Sequence, residues 1–91
     1  MTRREQILQL LSERRYTAFE LAERFQMKEK LILDDLKHIQ KSLRHRDVEL
    51  IITAAECVEC GFRFGTEKIK NPSRCPRCKS ERIDEQIYEV K

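Results

Sequence analysis

Cys57-Val58-Glu59-Cys60 and Cys75-Pro76-Arg77-Cys78 repeat one spacing, with fourteen residues between the two units. Two thiols separated by two residues can wrap a backbone turn around one ion. Two such turns supply the four thiolates of a tetrahedral site. Gly61 follows the first pair, where the chain must curl back toward the sulfurs and glycine is free to take φ > 0. Pro76 stiffens the second turn. Two disulfides, or four unrelated thiols, are the competing uses of these residues. The duplicated spacing and a chain that reads as cytoplasmic favour metal, because disulfides persist mainly in oxidising compartments.

A tetrahedral all-sulfur site accepts zinc or iron. A redox iron centre is usually wrapped in a dry apolar shell that sets its potential. Here Arg63, Lys68, Lys70, Arg74, Arg77, Lys79 and Arg82 crowd the segment. One zinc ion, held by Cys57, Cys60, Cys75 and Cys78, is therefore expected, with iron as the alternative. Four thiolates leave no open position for water or substrate, so the ion is expected to be structural. His38 and His45 then read as solvated side chains. No Ser/His/Asp or Cys/His set, phosphate-binding glycine loop or pocketed carboxylate pair appears, and the expectation is a protein that is not an enzyme and takes no small-molecule substrate.

The elements that must carry this site divide at about residue 56. Thr2-Arg3-Arg4-Glu5 and Thr17-Ala18-Phe19-Glu20 are capping boxes, each opening a helix. Ile7, Leu8 and Leu11 line the first helix, and Leu21, Ala22 and Phe25 the second. Tyr16 and Phe19, which flank the second helix start, read as core. A third helix is expected over Lys28 to Arg44, with Ile32, Leu36, Ile39 and Leu43 as its apolar stripe. Val48 to Ala55 reads as a strand and Ile83 to Val90 as its return partner. Residues 57–82 between them hold all four cysteines, with Phe62, Phe64 and Ile69 as their few apolar contributors. The expected architecture is α+β, with residues 1–56 and 83–91 forming one unit and residues 57–82 inserted in it.

The formal net charge of +3 is too small to name a partner, but the charge is unevenly spread. The insert has seven Lys/Arg against three acids, whereas the remainder has twelve against thirteen. A basic segment beside a neutral body hints at a polyanion. No apolar run approaches the ~20 residues of a membrane span. The start MTRREQILQLL reads as an amphipathic helix and not as a signal peptide. No membrane partner is expected.

Two capped helices with a tight break, a longer helix and a strand pair make a helix-turn-helix with a two-stranded wing. Through residues 17–27 and then Ile32, Leu36 and Ile39, the chain resembles winged helix-turn-helix transcriptional regulators. With the CxxCG and CPxC units it is similar to the small, mostly archaeal regulators that carry a rubredoxin-like zinc ribbon. The resemblance implies sequence-specific binding to double-stranded DNA, with the third helix in the major groove and the wing on the backbone. Because the ribbon lies between the two wing strands, it is expected to extend or replace the wing tip, and a homodimer is expected to match a two-fold operator. Lys28, Lys30, Lys37, Lys41 and Arg44 are the candidate contacts on the third helix, and Lys70, Arg74, Arg77 and Lys79 those on the ribbon. At roughly 100° per residue, Asp34 centres the outward face and Asp35 falls on its flank. Asp34 is expected to pair with Lys30 and Lys37. The alternative function is a zinc-ribbon adaptor of transcription or processing machinery, docking protein instead of DNA through the ribbon or Leu31 and Leu33. A redox carrier ranks third.

Overall fold

A computed structural model describes residues 2–91. Helix α1 spans Arg3–Glu13, and its N-cap Thr2 accepts from the Glu5 amide at 3.2 Å. The reciprocal half of the expected box does not form. The Glu5 carboxylate accepts from the Thr2 hydroxyl at 3.1 Å and not from its amide. Strand β1, Tyr16–Thr17, leads into α2, Ala18–Phe25. There the box is complete: Thr17 Oγ1 accepts from the Glu20 amide at 3.1 Å and the Thr17 amide donates to Glu20 Oε1 at 2.8 Å. Gln26 ends α2 in the left-handed conformation, at φ 53°, ψ 52°, a position that glycine commonly fills. Helix α3, Glu29–Leu43, falls one residue short of the expected span at each end, and Lys28 becomes its N-cap without a side-chain hydrogen bond.

The first expected strand shortens to β2, Leu50–Thr53, and a further strand, β3, Glu56–Cys57, follows beyond its expected end at Ala55. The return strand divides into β4, Ile83–Asp84, and β5, Ile87–Val90. β5 lies between β1 and β2, antiparallel to both, with Tyr16 opposite Tyr88 and Leu50 opposite Val90. β3 and β4 form a separate antiparallel pair that leads into the insert. The strand pair foreseen as a wing is thus a three-stranded sheet. The two-residue β1 has no pattern of its own and exists because β5 offers it an edge.

The core takes the foreseen helix stripes, with Ile7, Leu11, Leu21, Ile32 and Leu36 fully buried, and adds Tyr88 and Val90 from β5. Each such aliphatic side chain contributes about 1.5–3 kcal/mol on burial. Tyr16 joins this core, but Phe19 is 54% exposed, contrary to expectation. With Ala18, Leu21 and Ala22 turned inward, the helical repeat carries residue 19 to the opposite face. Among the described residues no helix is long and apolar enough to cross a membrane.

Ile69 is the second departure. It lies in the insert, yet it is buried in the core of the helical body. Its neighbours are fastened by Gln86, which is fully buried between β4 and β5. Gln86 Oε1 accepts from the Lys70 amide at 3.2 Å and from the Tyr88 hydroxyl at 2.6 Å, and its Nε2 donates to the Lys68 carbonyl at 3.0 Å. A buried amide whose oxygen and nitrogen both find partners stabilises a docked segment, whereas an unmatched one would cost about 1–3 kcal/mol. Residues 67–71 form a strap across the body, which Asn71 completes by donating to Glu29 in the first turn of α3. The ribbon thus returns part of its chain onto α3.

Candidate metal centre and nucleic-acid interface

The two CxxC turns are built alike. The Gly61 amide donates to the Cys57 carbonyl and the Lys79 amide to the Cys75 carbonyl, both at 2.9 Å. The Cys57 amide donates to the Phe62 carbonyl and the Cys75 amide to the Ser80 carbonyl, both at 2.8 Å. The residue after each pair has positive φ, 78° at Gly61 and 68° at Lys79. Each turn therefore curls its amides around a sulfur, and the Arg77 and Cys78 amides donate to Cys75 Sγ at 3.4 and 3.5 Å. Phe62 and Phe64 stack edge to face, 5.1 Å between centroids, on the chain leaving the first turn.

All four sulfurs lie within 4.8 Å of one another, with Cys57–Cys78 at 3.5 Å and Cys60–Cys75 at 3.6 Å. Four thiolates at about 2.3 Å from one tetrahedral ion stand about 3.8 Å apart, so the cage fits a single metal ion. Desolvation opposes ionisation of Cys75, but the Cys78 and Arg77 amides and the adjoining thiols outweigh it and bring the thiol down to about 6. At Cys78 the Ser80 amide favours the thiolate, yet desolvation and the three neighbouring thiols push it up to about 12. Adjacent sulfurs driven in opposite directions are what like charges in contact require, and a divalent cation removes that conflict.

Two family models divide the chain between them. The model described as PF0610-like, N-terminal, matches residues 2–51, and that of the PF0610 rubredoxin-like zinc beta-ribbon domain matches residues 54–91. The chain belongs to the PF0610-like family. Its fold is similar to the solution NMR structure of protein PF0610 from Pyrococcus furiosus, at a TM-score of 0.84 and 44% identity over 98% of this chain and 88% of that one. No curated protein matches the chain. The four-cysteine segment of this PF0610-like protein is thus a rubredoxin-like zinc ribbon arranged to hold one metal ion, consistent with structural zinc.

The structure divides the basic residues singled out in the sequence into three groups. Lys37 and Lys41 of α3 and Arg44, its C-cap, line a cavity of about 400 Å³ together with Lys68 and Lys70 of the strap, and Glu67 is its one acid. Arg74, Arg77 and Lys79 stay on the second CxxC turn, exposed, with Arg74 Nε donating to the Lys79 carbonyl at 3.3 Å. Lys28 lines a different, more apolar recess with Phe19 and Met27, and Lys30 is exposed on the outward face.

On the other flank of α3 a cavity of about 350 Å³ is lined by Arg3, Arg4, Leu31, Asp34, Asp35, Lys37, His38 and Lys41. Lys37 and Lys41 border both cavities and so form the ridge between them. Asp34 is exposed at the rim of this second cavity, outward as expected, but among the described residues no ion pair joins it to Lys30 or Lys37. Asp35 has a role that sequence reasoning does not find. It is 1% exposed, and its carboxylate accepts from Arg3 and Arg4. Burial alone would raise its pKa, and the hydrogen bonds from Arg3 and then Arg4 more than offset this, holding it below the usual 3.8. Its partners lie 31 and 32 residues away, so no local sequence pattern links them.

Proposed function

We propose that this PF0610-like protein is a DNA-binding transcriptional regulator that sets α3 in the major groove and uses a structural zinc ribbon to hold one of its flanks. The succession α1-β1-α2-α3-β2-β5 with sheet order β1-β5-β2 supports a winged helix-turn-helix layout. One observation carries the functional reading: basic cavities border α3 on both sides and share Lys37 and Lys41. A helix in a major groove lies between two sugar-phosphate strands, so it gains from cations on both flanks. The strap supplies Lys68 and Lys70 on one of them. Outward chemistry suited to bases is sparse, with lysines, His38 and Asp34, so phosphate contacts supply most of the affinity. A homodimer on a two-fold site follows from this reading.

Fluorescence anisotropy with zinc-loaded protein and random duplex DNA across a salt series tests it. Affinity is expected to fall steeply with salt. The Lys37→Ala/Lys41→Ala pair is expected to flatten the logarithmic slope by about 0.9 for each phosphate no longer neutralised. No binding at low salt overturns the reading. It would then favour an adaptor that docks protein through the recess lined by Phe19, Ala22 and Met27.

A further inference from the structure

Arg3 and Arg4 open α1, yet they converge on a carboxylate buried in α3. Asp35 Oδ2 accepts from Arg3 Nε at 2.5 Å, and Oδ1 accepts from Arg3 Nη2 at 3.2 Å and from Arg4 Nε at 3.1 Å. One guanidinium suffices to neutralise a carboxylate, and Arg3 already meets this one with two donors. Arg4 is therefore surplus to the charge balance, and the cluster keeps a net positive charge. Each guanidinium carries five N–H donors. The clamp uses Arg4 only at Nε and leaves its terminal nitrogens without a protein acceptor among the described residues.

The surplus donors stand in a suitable place. The Arg3 and Arg4 side chains remain 40% and 53% exposed although their common partner is buried. Both line the cavity of about 350 Å³ on the α1 side of α3, with Lys37, His38 and Lys41. The acids there are Asp34, exposed at the rim, and Asp35, already covered by the two arginines. Arg3 is gripped along one edge, through Nε and Nη2, and Arg4 is held at Nε, so both guanidiniums are tethered with donors left over for a ligand. Planar, oriented donors of this kind recognise tetrahedral oxyanions.

We propose that Arg3 and Arg4, oriented by Asp35, form a phosphate-binding site between α1 and α3, assisted by Lys37 and Lys41. Asp35 is a positioning residue that does not touch the anion. In the reading above, which this site extends, the phosphate is a backbone phosphodiester of bound DNA; a free phosphate would satisfy the same donors.

The test follows the arginine Nε–Hε signals by NMR in the zinc-loaded protein, titrated separately with inorganic phosphate and with random duplex DNA, beside anisotropy of Arg4→Gln. That variant leaves Arg3 on Asp35, and its amide spectrum checks that the fold persists. The Arg3 and Arg4 signals are expected to shift with duplex. Arg4→Gln is expected to weaken duplex binding about fivefold at 0.15 M salt and to lower the slope by about 0.9. Shifts with phosphate and no duplex binding would support the site with a free anion as ligand while overturning the DNA reading. Duplex binding that Arg4→Gln leaves unchanged in affinity and slope overturns this site and leaves the DNA reading standing. Arginine signals that move with neither ligand also overturn it.

Discussion

Between residues 3 and 53 the three helices turn their apolar stripes into one shared core, whereas residues 54–82 bury only Ala55, Cys57, Ile69 and Cys75. Two of those four are thiols of the metal cage, and Ile69 belongs to the core of the other region. The helical body holds itself; the ribbon is held at both ends by something else. At one end the sulfurs need an ion. At the other the strap needs the body, through Ile69, Gln86 and the Asn71–Glu29 contact. A segment too small and too polar to bury a core of its own can still be ordered by two such anchors.

The sharpest way to break this contrast is to remove the metal. Structural zinc in small modules supplies about 10–16 kcal/mol of apparent binding free energy. A chelator is therefore expected to collapse the amide NMR signals of residues 57–64 and 73–82 toward unfolded positions while those of the α1–α3 core stay dispersed. Ribbon signals unaffected by chelation would show that the region folds without its ion.

Ile69 tests the other anchor. Ile69→Ala in the zinc-loaded protein is expected to cost about 2–5 kcal/mol, the range for a buried aliphatic truncated in a packed core. The loss should appear in the urea unfolding of the helices although the mutated residue lies in the ribbon. A change under about half a kcal/mol in the helical transition, the scale of an ordinary surface substitution, would mean that the strap only rests on the surface.

The smallest effect separates the two CxxC turns from each other. Gly61 and Lys79 hold equivalent left-handed positions, φ 78° and 68°, but only one of them is a glycine. A side chain in that region costs roughly 1–2 kcal/mol. Lys79→Gly is expected to recover about 1 kcal/mol, read as resistance to a competing chelator, and Gly61→Ala to lose a similar amount. Equal, negligible shifts in both variants would show that the metal, not the backbone preference, sets the turn geometry.

Much of this is legible along the chain because the signals are local. The capping residues Thr2 and Thr17, the stripe Ile32-Leu36-Ile39-Leu43 and the paired CxxC units each lie within a few turns of backbone. Local rules of capping, periodicity and ligand spacing describe such stretches well. The departures share the opposite property. Asp35 looks like a flank residue because its partners lie in another helix. Ile69 looks like part of the ribbon's own packing because the core that takes it belongs to the body. β1 carries no strand pattern because a two-residue strand is defined by its neighbour.

The amino-acid order by itself determined where the helices start, which faces they bury, and that four thiols would share one ion, since each depends on residues close in sequence. Only the tertiary structure decided that the ribbon folds back on α3, that Gln86 fastens it there, and that a buried Asp35 aims two arginines at the opposite flank. Those contacts join groups separated by long stretches of chain, and their geometry exists only once the core has brought the elements together.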